Sequence, residues 1–168
     1  MAALLLDIQP GDEVILPAFT FVSSVNAFVL RGARPVFIDV RADTLNLDER
    51  QLEAKITPHT KALFVNTPSN PTGWTADRET LQAILDLARS KGLWIIADEI
   101  YSLFYYDGAR ASSFLDIMEP EDRILFVNTF SKNWAMTGWR VGWLQAPMEV
   151  GPAIERIIQY NTSGTAAF

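Results

Sequence analysis

Short, continuous apolar runs alternate with helical segments along most of this 168-residue chain. Strands are predicted over residues 13–17, 35–40, 61–66, 93–97 and 124–128. Runs that are apolar throughout, rather than at every second position, are typical of strands covered on both faces, and such sheets are largely parallel. The sequence therefore predicts an α/β fold with three layers, in which helices cover both sides of a mostly parallel sheet.

Helices are predicted between these strands. Between residues 77 and 91, apolar side chains recur at helical spacing, and Gly92 follows as an end signal. Residues 23–31 form a second helical pattern that ends at Gly32. Residues 48–54 form a short third helical pattern behind a start signal at Asp48.

The composition argues against several classes of function. A formal net charge of −6 and a pI near 4.7 disfavour nucleic acid or an anionic membrane as a partner. The chain has no cysteine and a single histidine, His59, so thiolate chemistry, a Ser-His-Asp triad and a multi-histidine metal site are not expected. Because no apolar run is long enough to span a bilayer and no leader is recognisable, we expect a cytoplasmic protein without a bound metal.

Polar side chains follow three of the predicted strands. Asn66, Asp98 and Thr129 each lie at or just past the carboxyl end of an apolar run. In open α/β sheets, ligands bind beyond the carboxyl ends of the strands. The sequence therefore predicts one crevice towards which three separate strands direct polar groups.

A lysine and an arginine lie eight residues apart after the last predicted strand. Residues 129–140 read Thr-Phe-Ser-Lys-Asn-Trp-Ala-Met-Thr-Gly-Trp-Arg, and small or hydroxylic residues are frequent around Lys132. A lysine amine held beside an arginine and hydroxyls is what imine chemistry on a phosphorylated aldehyde requires. The alternative is a surface lysine and arginine in a loop.

Two upstream segments add further candidate groups. Prolines restrain the backbone around Asn70, whose amide could donate to a ring hydroxyl, although the segment could equally be an ordinary turn between strand and helix. Asp98 and Glu99 end an apolar strand, where two carboxylates are costly without compensation. Asp98 could pair with a protonated heterocyclic nitrogen, bind a metal or act as a structural acceptor. Tyr101 could present its hydroxyl to the same site, and Glu99 is expected to turn away and pair within the protein.

Together these segments resemble the large domain of fold type I, class I/II aminotransferases that depend on pyridoxal 5'-phosphate (PLP). The similar stretches are residues 66–73 (Asn-Thr-Pro-Ser-Asn-Pro-Thr-Gly), 98–101 (Asp-Glu-Ile-Tyr) and 131–142 (Ser-Lys-Asn-Trp-Ala-Met-Thr-Gly-Trp-Arg-Val-Gly). The resemblance covers residues 61–168, and residues 160–164 resemble the stretch that follows in that family. It implies PLP as the cofactor.

The resemblance also implies a role for each candidate residue. Lys132 would form the internal aldimine and then act as the acid and base for the proton shift. Asp98 would pair with the pyridinium nitrogen and keep the ring an electron sink. Asn70 and Tyr101 would hold the ring oxygen O3′.

The same resemblance assigns the phosphate-binding groups. Arg140 would bind the phosphate through two hydrogen bonds, assisted by the hydroxyls of Thr129 and Ser131. The arginine and the protonated cofactor would supply the positive charge that lets a lysine amine act at neutral pH.

Residues 4–60 resemble a different branch of the same fold. The stretches 10–24 and 32–40 are more similar to aminotransferases that act on nucleotide-linked keto-sugars. In that branch, the residue that corresponds to Phe21 stacks on the cofactor ring; the alternative is that Phe21 is a core residue. The mixture of features leaves the substrate class open and suggests a chimeric or artificially assembled sequence.

Members of these families are much longer than this chain. The resemblance therefore implies that residues 1–168 are a single, partial PLP-binding large domain. The N-terminal arm, the glycine-rich phosphate loop and the C-terminal small domain would be absent. Family active sites lie at a dimer interface, so we expect a homodimer or a higher self-association.

Three functions are compatible with this interpretation. The first is an aminotransferase that moves an amino group from an amino acid donor to a keto acid or keto-sugar acceptor. The second is a catalytically incomplete PLP-binding core or scaffold without transaminase activity. The third is a different reaction on the same cofactor, such as decarboxylation or elimination.

Overall fold

A six-stranded sheet forms the centre of the structure, which is a computed structural model that describes residues 1–161 and the side chains of residues 1–160. The sheet order is β2-β1-β3-β4-β5-β6, with strands β1 Glu13–Pro17, β2 Arg34–Ile38, β3 Thr60–Asn66, β4 Trp94–Asp98, β5 Ile124–Thr129 and β6 Gly142–Gln145. The first five strands are parallel, and β6 pairs antiparallel with β5. The predicted mostly parallel sheet is therefore confirmed.

Helices lie on both faces of this sheet and form the outer layers. They are α1 Ala2–Leu5, α2 Val22–Val29, α3 Leu52–Lys55, α4 Arg78–Lys91, α5 Phe130–Asn133 and α6 Gly151–Asn161. One buried core contains side chains of α3 and α4, and the other contains side chains of α1 and α2, with α6 packed against it. Within β4, Ile95 belongs to the first core and Ile96 to the second, because successive strand side chains point to opposite faces. The three-layer α/β architecture is confirmed.

The helix boundaries follow local signals that are visible in the sequence. The side chain of Asp77 accepts a hydrogen bond of 2.8 Å from the backbone N–H of Thr80 at the start of α4. Gly92 ends the helix in the left-handed conformation, with φ 67°. Where residues 48–54 were predicted as one helix, the structure has a 3-10 turn, Glu49–Gln51, followed by the short α3.

The lysine segment differs from its prediction as a loop. β5 continues without a break into α5, so Lys132 lies on a helix of four residues. β6 then returns alongside β5, with Thr129 opposite Gly142. A Cβ atom on Gly142 would lie 2.5 Å from the backbone oxygen of Asn128, so this close return of the chain requires glycine. Residues 162–168, which include most of the predicted family-like stretch 160–164, lie outside the described residues.

Gly92→Ala is predicted to lower the free energy of unfolding by about 1 kcal/mol, because side chains resist a left-handed backbone. The added methyl group itself has room, since its nearest neighbour would be an atom of Arg123 at 4.0 Å. Gly151→Ala is the control, because this glycine has φ −50° and alanine fits there without strain. Chemical denaturation measures both variants, and equal stability of Gly92→Ala and the wild type would contradict the prediction.

Candidate active site

Three neighbouring strands end at the same edge of the sheet. In the β3–β4 pairing Asn66 lies opposite Asp98, and in the β4–β5 pairing Asp98 lies opposite Val127. β5 ends two residues later at Thr129. The loops that carry the candidate residues therefore leave the sheet side by side, at the edge where α/β folds bind ligands.

Asn66 ties the first two of these strand ends together. Its Nδ2 donates to the backbone oxygen of Asp98 at 3.1 Å and lies 3.5 Å from that of Pro68. Its Oδ1 accepts from the backbone N–H of Asn70 at 3.3 Å. The sequence suggested that Asn66 faces the crevice because it ends a strand, but it did not show that this side chain fixes the Asn70 loop.

Tyr101 lies next to both Asn70, which comes from another loop, and Lys132, which lies on α5. The Nδ2 of Asn70 donates to the hydroxyl of Tyr101 at 2.9 Å. The Nζ of Lys132 lies 5.6 Å from the centre of the Tyr101 ring, which is within the range of a cation–π contact. An amide, a phenol and an amine from three separate parts of the chain thus form one polar cluster.

Asp98 supplies a carboxylate with an unusual electrostatic environment. One of its oxygens accepts a long hydrogen bond of 3.4 Å from the backbone N–H of Ile100. Burial raises the pKa of the Asp98 carboxyl to about 6, and no basic side chain of the described residues offsets this effect. A cation placed beside Asp98 would be stabilised, and the protonated ring nitrogen of PLP is such a cation. The residues at this position therefore fit the cofactor.

Glu99 points the other way, as predicted. It is buried, and its carboxylate accepts hydrogen bonds from the Ser113 hydroxyl at 2.5 Å and from the Phe114 backbone N–H at 3.0 Å. Burial raises the pKa of the Glu99 carboxyl, and the two hydrogen bonds act against that rise. The prediction that Glu99 pairs within the protein is confirmed.

The hydroxyls predicted to bind phosphate lie together at the start of α5. The Oγ1 of Thr129 accepts from the backbone N–H of Ser131 at 3.1 Å and lies 3.1 Å from the Ser131 hydroxyl. The same Oγ1 lies 3.1 Å from the backbone oxygen of Val141, which follows Arg140. Two hydroxyls and the Arg140 segment are thus neighbours at the end of β5.

Arg140 and Phe21 are exposed. The guanidinium of Arg140 donates to the backbone oxygen of Thr137 at 3.1 Å, and the structure records no bond from it to the Thr129 or Ser131 hydroxyls, both of which are described. Phe21 precedes α2 in the loop after β1 and is 74% exposed. Its alternative interpretation as a core residue is therefore wrong. Whether its ring stacks on a cofactor stays a prediction.

Asn133 is a further residue near Lys132 that the sequence motifs do not single out. Its Nδ2 donates to the Ser102 hydroxyl at 3.3 Å, and its Oδ1 accepts from the Leu103 backbone N–H at 3.4 Å. It follows Lys132 directly in the chain, and Ser102 follows Tyr101. A polar residue next to the lysine was the only available signal.

Two other kinds of site are absent from the part of the chain that is described. Residues 1–161 contain no group of three or more histidine, aspartate or glutamate side chains placed to hold a metal ion. Over the same range, no helix combines the length and the apolar character that crossing a bilayer requires.

The family model for aminotransferases of class I and II matches residues 1–167. The chain therefore belongs to this family, whose members depend on PLP. The match includes residues 4–60, so a single family model accounts for both parts of the sequence.

Curated relatives and solved structures agree with this assignment. The chain is 38% identical over 164 residues to aromatic-amino-acid aminotransferase 2 of Thermococcus litoralis, covering 96% of this chain and 42% of that protein. It is 41% identical to the aspartate aminotransferase of Streptomyces avermitilis, covering 95% of this chain and 40% of that protein. Its fold matches an aromatic aminotransferase from Pyrococcus horikoshii with a TM-score of 0.88 and 35% identity, over 97% of this chain and 44% of the other. The chain thus spans less than half the length of these proteins.

Asp98→Asn is predicted to stabilise the cofactor-free protein at pH 7 by about 2 kcal/mol. The folded-state pKa of about 6 lies above the ordinary value of 3.8, so folding favours the protonated carboxyl. The contribution of Asp98 to stability is therefore fully present below about pH 4 and is lost as the pH rises through 6. Glu99, whose pKa is also raised, contributes to the same decline, so the substitution reduces it rather than removing it.

Denaturant titrations at a series of pH values measure this effect. Asp43→Asn is the matched control, because hydrogen bonding to Arg41 lowers the pKa of the exposed Asp43 carboxyl to about 2. That control should keep the decline between pH 4 and pH 6. If Asp98→Asn and the wild type lose the same stability over that interval, Asp98 is not the titrating group.

Proposed function

We propose that this chain contains the cofactor-binding core of a PLP-dependent aminotransferase and that Lys132 binds the cofactor covalently. The observation that carries the proposal is the position of Asn70 and Lys132 beside Tyr101, at the strand ends where the partly buried Asp98 lies. Membership of the aminotransferase family supports it. PLP, when bound, supplies an electron sink for charge that develops on the donor amino acid.

The residues around the ring would hold the cofactor and carry its protons. Asp98 would accept a hydrogen bond from the ring nitrogen and keep that nitrogen protonated, since an ionised carboxylate beside it favours the charged form. Asn70 and Tyr101 would donate to the ring oxygen from their shared position. Lys132 would carry a proton at Nζ to and from the substrate.

The phosphate and the outer face of the ring would be held by a second group of residues. Thr129 and Ser131 would supply hydroxyl donors, and the exposed Arg140 would swing from Thr137 to bind phosphate oxygens with its planar guanidinium. Phe21 would stack on the ring from the end of β1, where its side chain is exposed.

The substrates would be an amino acid donor and a keto acid acceptor. The donor would leave as a keto acid and the acceptor as an amino compound, so that each cycle exchanges one amino group for one carbonyl oxygen. Relatives named for aromatic amino acids and for aspartate support this substrate class, and the similarity of residues 4–60 to sugar aminotransferases adds a keto-sugar as a second acceptor. We propose that the protein acts as a homodimer or a larger assembly in the cytoplasm.

The domain organisation is part of the same proposal. Residues 1–168 would be one PLP-binding large domain that is partial with respect to longer relatives, because the chain spans 42% of the Thermococcus litoralis relative. The described residues support this view, since both buried cores pack on the same six-stranded sheet. The N-terminal arm, the phosphate loop and the small domain of the family would be supplied from outside these residues.

A PLP-binding core without turnover is the second candidate function. Asn70, Arg140 and Phe21 are all exposed, so water reaches the groups that would contact the cofactor. Transamination requires exact positioning of substrate and the exclusion of water, and these contribute much of an enzyme's rate. Binding of the cofactor alone requires less.

Lys132→Ala is predicted to abolish covalent PLP binding. Mixing PLP with the wild-type chain should give a visible absorbance band, and borohydride reduction should leave the cofactor attached to the peptide that contains Lys132. Lys55→Ala, which removes a lysine from the end of α3, is the control and should keep both signals. Absence of the band in the wild type, or its survival in Lys132→Ala, would refute the cofactor assignment.

Addition of amino acid donors separates the two candidate functions. An aminotransferase should lose the visible band when a donor is added and regain it with a keto acid, because the amino group moves to the cofactor and back. A band that stays unchanged with every amino acid donor would identify a binding core without turnover. Liquid chromatography of the keto product measures the same exchange independently.

Arg140→Ala is predicted to weaken PLP binding by at least about tenfold, because a charged hydrogen-bond donor to the phosphate is lost. The visible band of the bound fraction should keep its wavelength, since the ring contacts remain. The affinity of Arg140→Lys for PLP should lie between those of Arg140→Ala and the wild type, because lysine retains the charge without the planar guanidinium. Titration with PLP measures the affinities, and equal affinity of Arg140→Ala and the wild type would exclude the phosphate role.

A further inference from the structure

The helix that carries Lys132 cannot hold its own orientation. α5 has four residues, and a single helical turn is unstable without external contacts. Its first end is fixed by the Thr129 hydroxyl and by a 3.1 Å bond from the Phe130 backbone N–H to the Val141 oxygen. Its second end leads into Ala135, a non-glycine residue at φ 54°, which does not continue a helix. The position of Lys132 therefore depends on what supports this second end.

Asn133 provides that support. Among the described residues, two hydrogen bonds join α5 to the loop after β4, and both involve the Asn133 side chain. Its Nδ2 donates to the Ser102 hydroxyl, and its Oδ1 accepts from the Leu103 backbone N–H. Because Asn133 follows Lys132 and Ser102 follows Tyr101, this pair of bonds spans the same two segments as the contact between the lysine amine and the tyrosine ring. A cation–π contact alone specifies orientation weakly.

The loop to which Asn133 binds is itself firmly held. The Ser102 backbone N–H donates to the backbone oxygen of Glu99 at 3.0 Å, and the backbone oxygen of Ser102 accepts from the Ala111 backbone N–H at 2.9 Å. Glu99 is in turn bound inside the protein by Ser113 and Phe114. The second end of the single-turn helix α5 is therefore bonded to a firmly held loop, and this arrangement transmits the position of the loop to α5.

We propose that Asn133 and Ser102 are positioning residues that set the Lys132 amine against the Tyr101 ring. This inference rests on the proposed function, because it assigns the orientation of two residues that would contact PLP. The side chain of Asn133 acts through α5, and that of Ser102 through the turn that carries Tyr101. Neither side chain needs to contact the cofactor.

The test uses the complete 168-residue chain, with PLP as the probe, and four variants. Asn133→Ala removes both bonds, and Ser102→Ala removes one. Asn133→Asp keeps an acceptor for the Leu103 N–H and for the Ser102 hydroxyl. Gln82→Ala is the matched control, because it removes an amide that bonds to Asp86 within α4, on the outer face of the molecule.

The first readout needs no cofactor. Hydrogen exchange at the Leu103 backbone N–H, measured by NMR, should accelerate by about fivefold in Asn133→Ala, the change expected from loss of one hydrogen bond. Asn133→Asp should restore the wild-type rate. Because its carboxylate alters the charge beside Lys132, this variant is assessed on exchange alone.

The second readout is the pH midpoint of the visible band in the presence of PLP. The Tyr101 hydroxyl would donate to the ring oxygen and stabilise its negative charge. When this hydrogen bond is weakened, the proton that the Lys132 nitrogen shares with the ring oxygen is retained to a higher pH. The midpoint should therefore rise in Asn133→Ala, rise less in Ser102→Ala, and stay unchanged in Gln82→Ala. Affinity for PLP should fall about fivefold in Asn133→Ala, in proportion to a lost hydrogen bond.

Each outcome decides between the proposals. A wild-type chain without a visible band overturns both the proposed function and the positioning role. A wild-type band with an unmoved midpoint in Asn133→Ala overturns the positioning role alone. If Asn133→Ala fails to fold, Ser102→Ala carries the test, because it removes one hydroxyl, and an unmoved midpoint there has the same consequence. Equal shifts in Gln82→Ala would show a general loss of stability and also overturn the positioning role.

Discussion

Partial burial of the Asp98 carboxylate where β4 ends is the constraint on which the candidate site depends. The parallel register holds Asp98 between Asn66 and Val127, so the carboxylate stays at the strand ends unless the ladder breaks. Burial raises its pKa to about 6, with one backbone hydrogen bond as the only opposing contribution recorded among the described residues. A partly buried carboxylate with so little compensation lowers the stability of the fold, and such costs are typical of sites that bind a charged partner.

The polar groups at these strand ends lie close together because side-chain amides bond each loop to its neighbour. Asn66 connects the ends of β3 and β4 and holds the Asn70 loop, whose amide in turn bonds to Tyr101. Asn133 connects the lysine helix to the turn that carries Tyr101. Rigid strands thus determine where the loops start, and side-chain amides determine how the loops lie relative to one another.

Much of the fold was predictable because its signals are local. The five parallel strands are continuous apolar runs, and their observed limits lie within two residues of the predicted ones. The long helix α4 has its periodicity, its Asp77 cap and its terminal glycine in the sequence. α5 was missed because four residues carry no measurable period, and the antiparallel direction of β6 follows from the turn that brings it back against β5.

Residue types and short spacings were enough to predict that polar groups follow three strands, and the similarity of three short stretches indicated the aminotransferase family, which the family model confirms. The roles of Asp98, Tyr101 and Lys132 stay predictions of the same kind. The inward turn of Glu99 was also predictable, whereas the place of the Tyr101 ring beside the lysine amine and the exposed position of Arg140 against Thr137 follow only from the three-dimensional fold. The physical reason is that each of these arrangements depends on contacts between residues far apart in the chain or on the course of an irregular turn. Local spacing cannot specify such contacts, whereas the register of a packed sheet does.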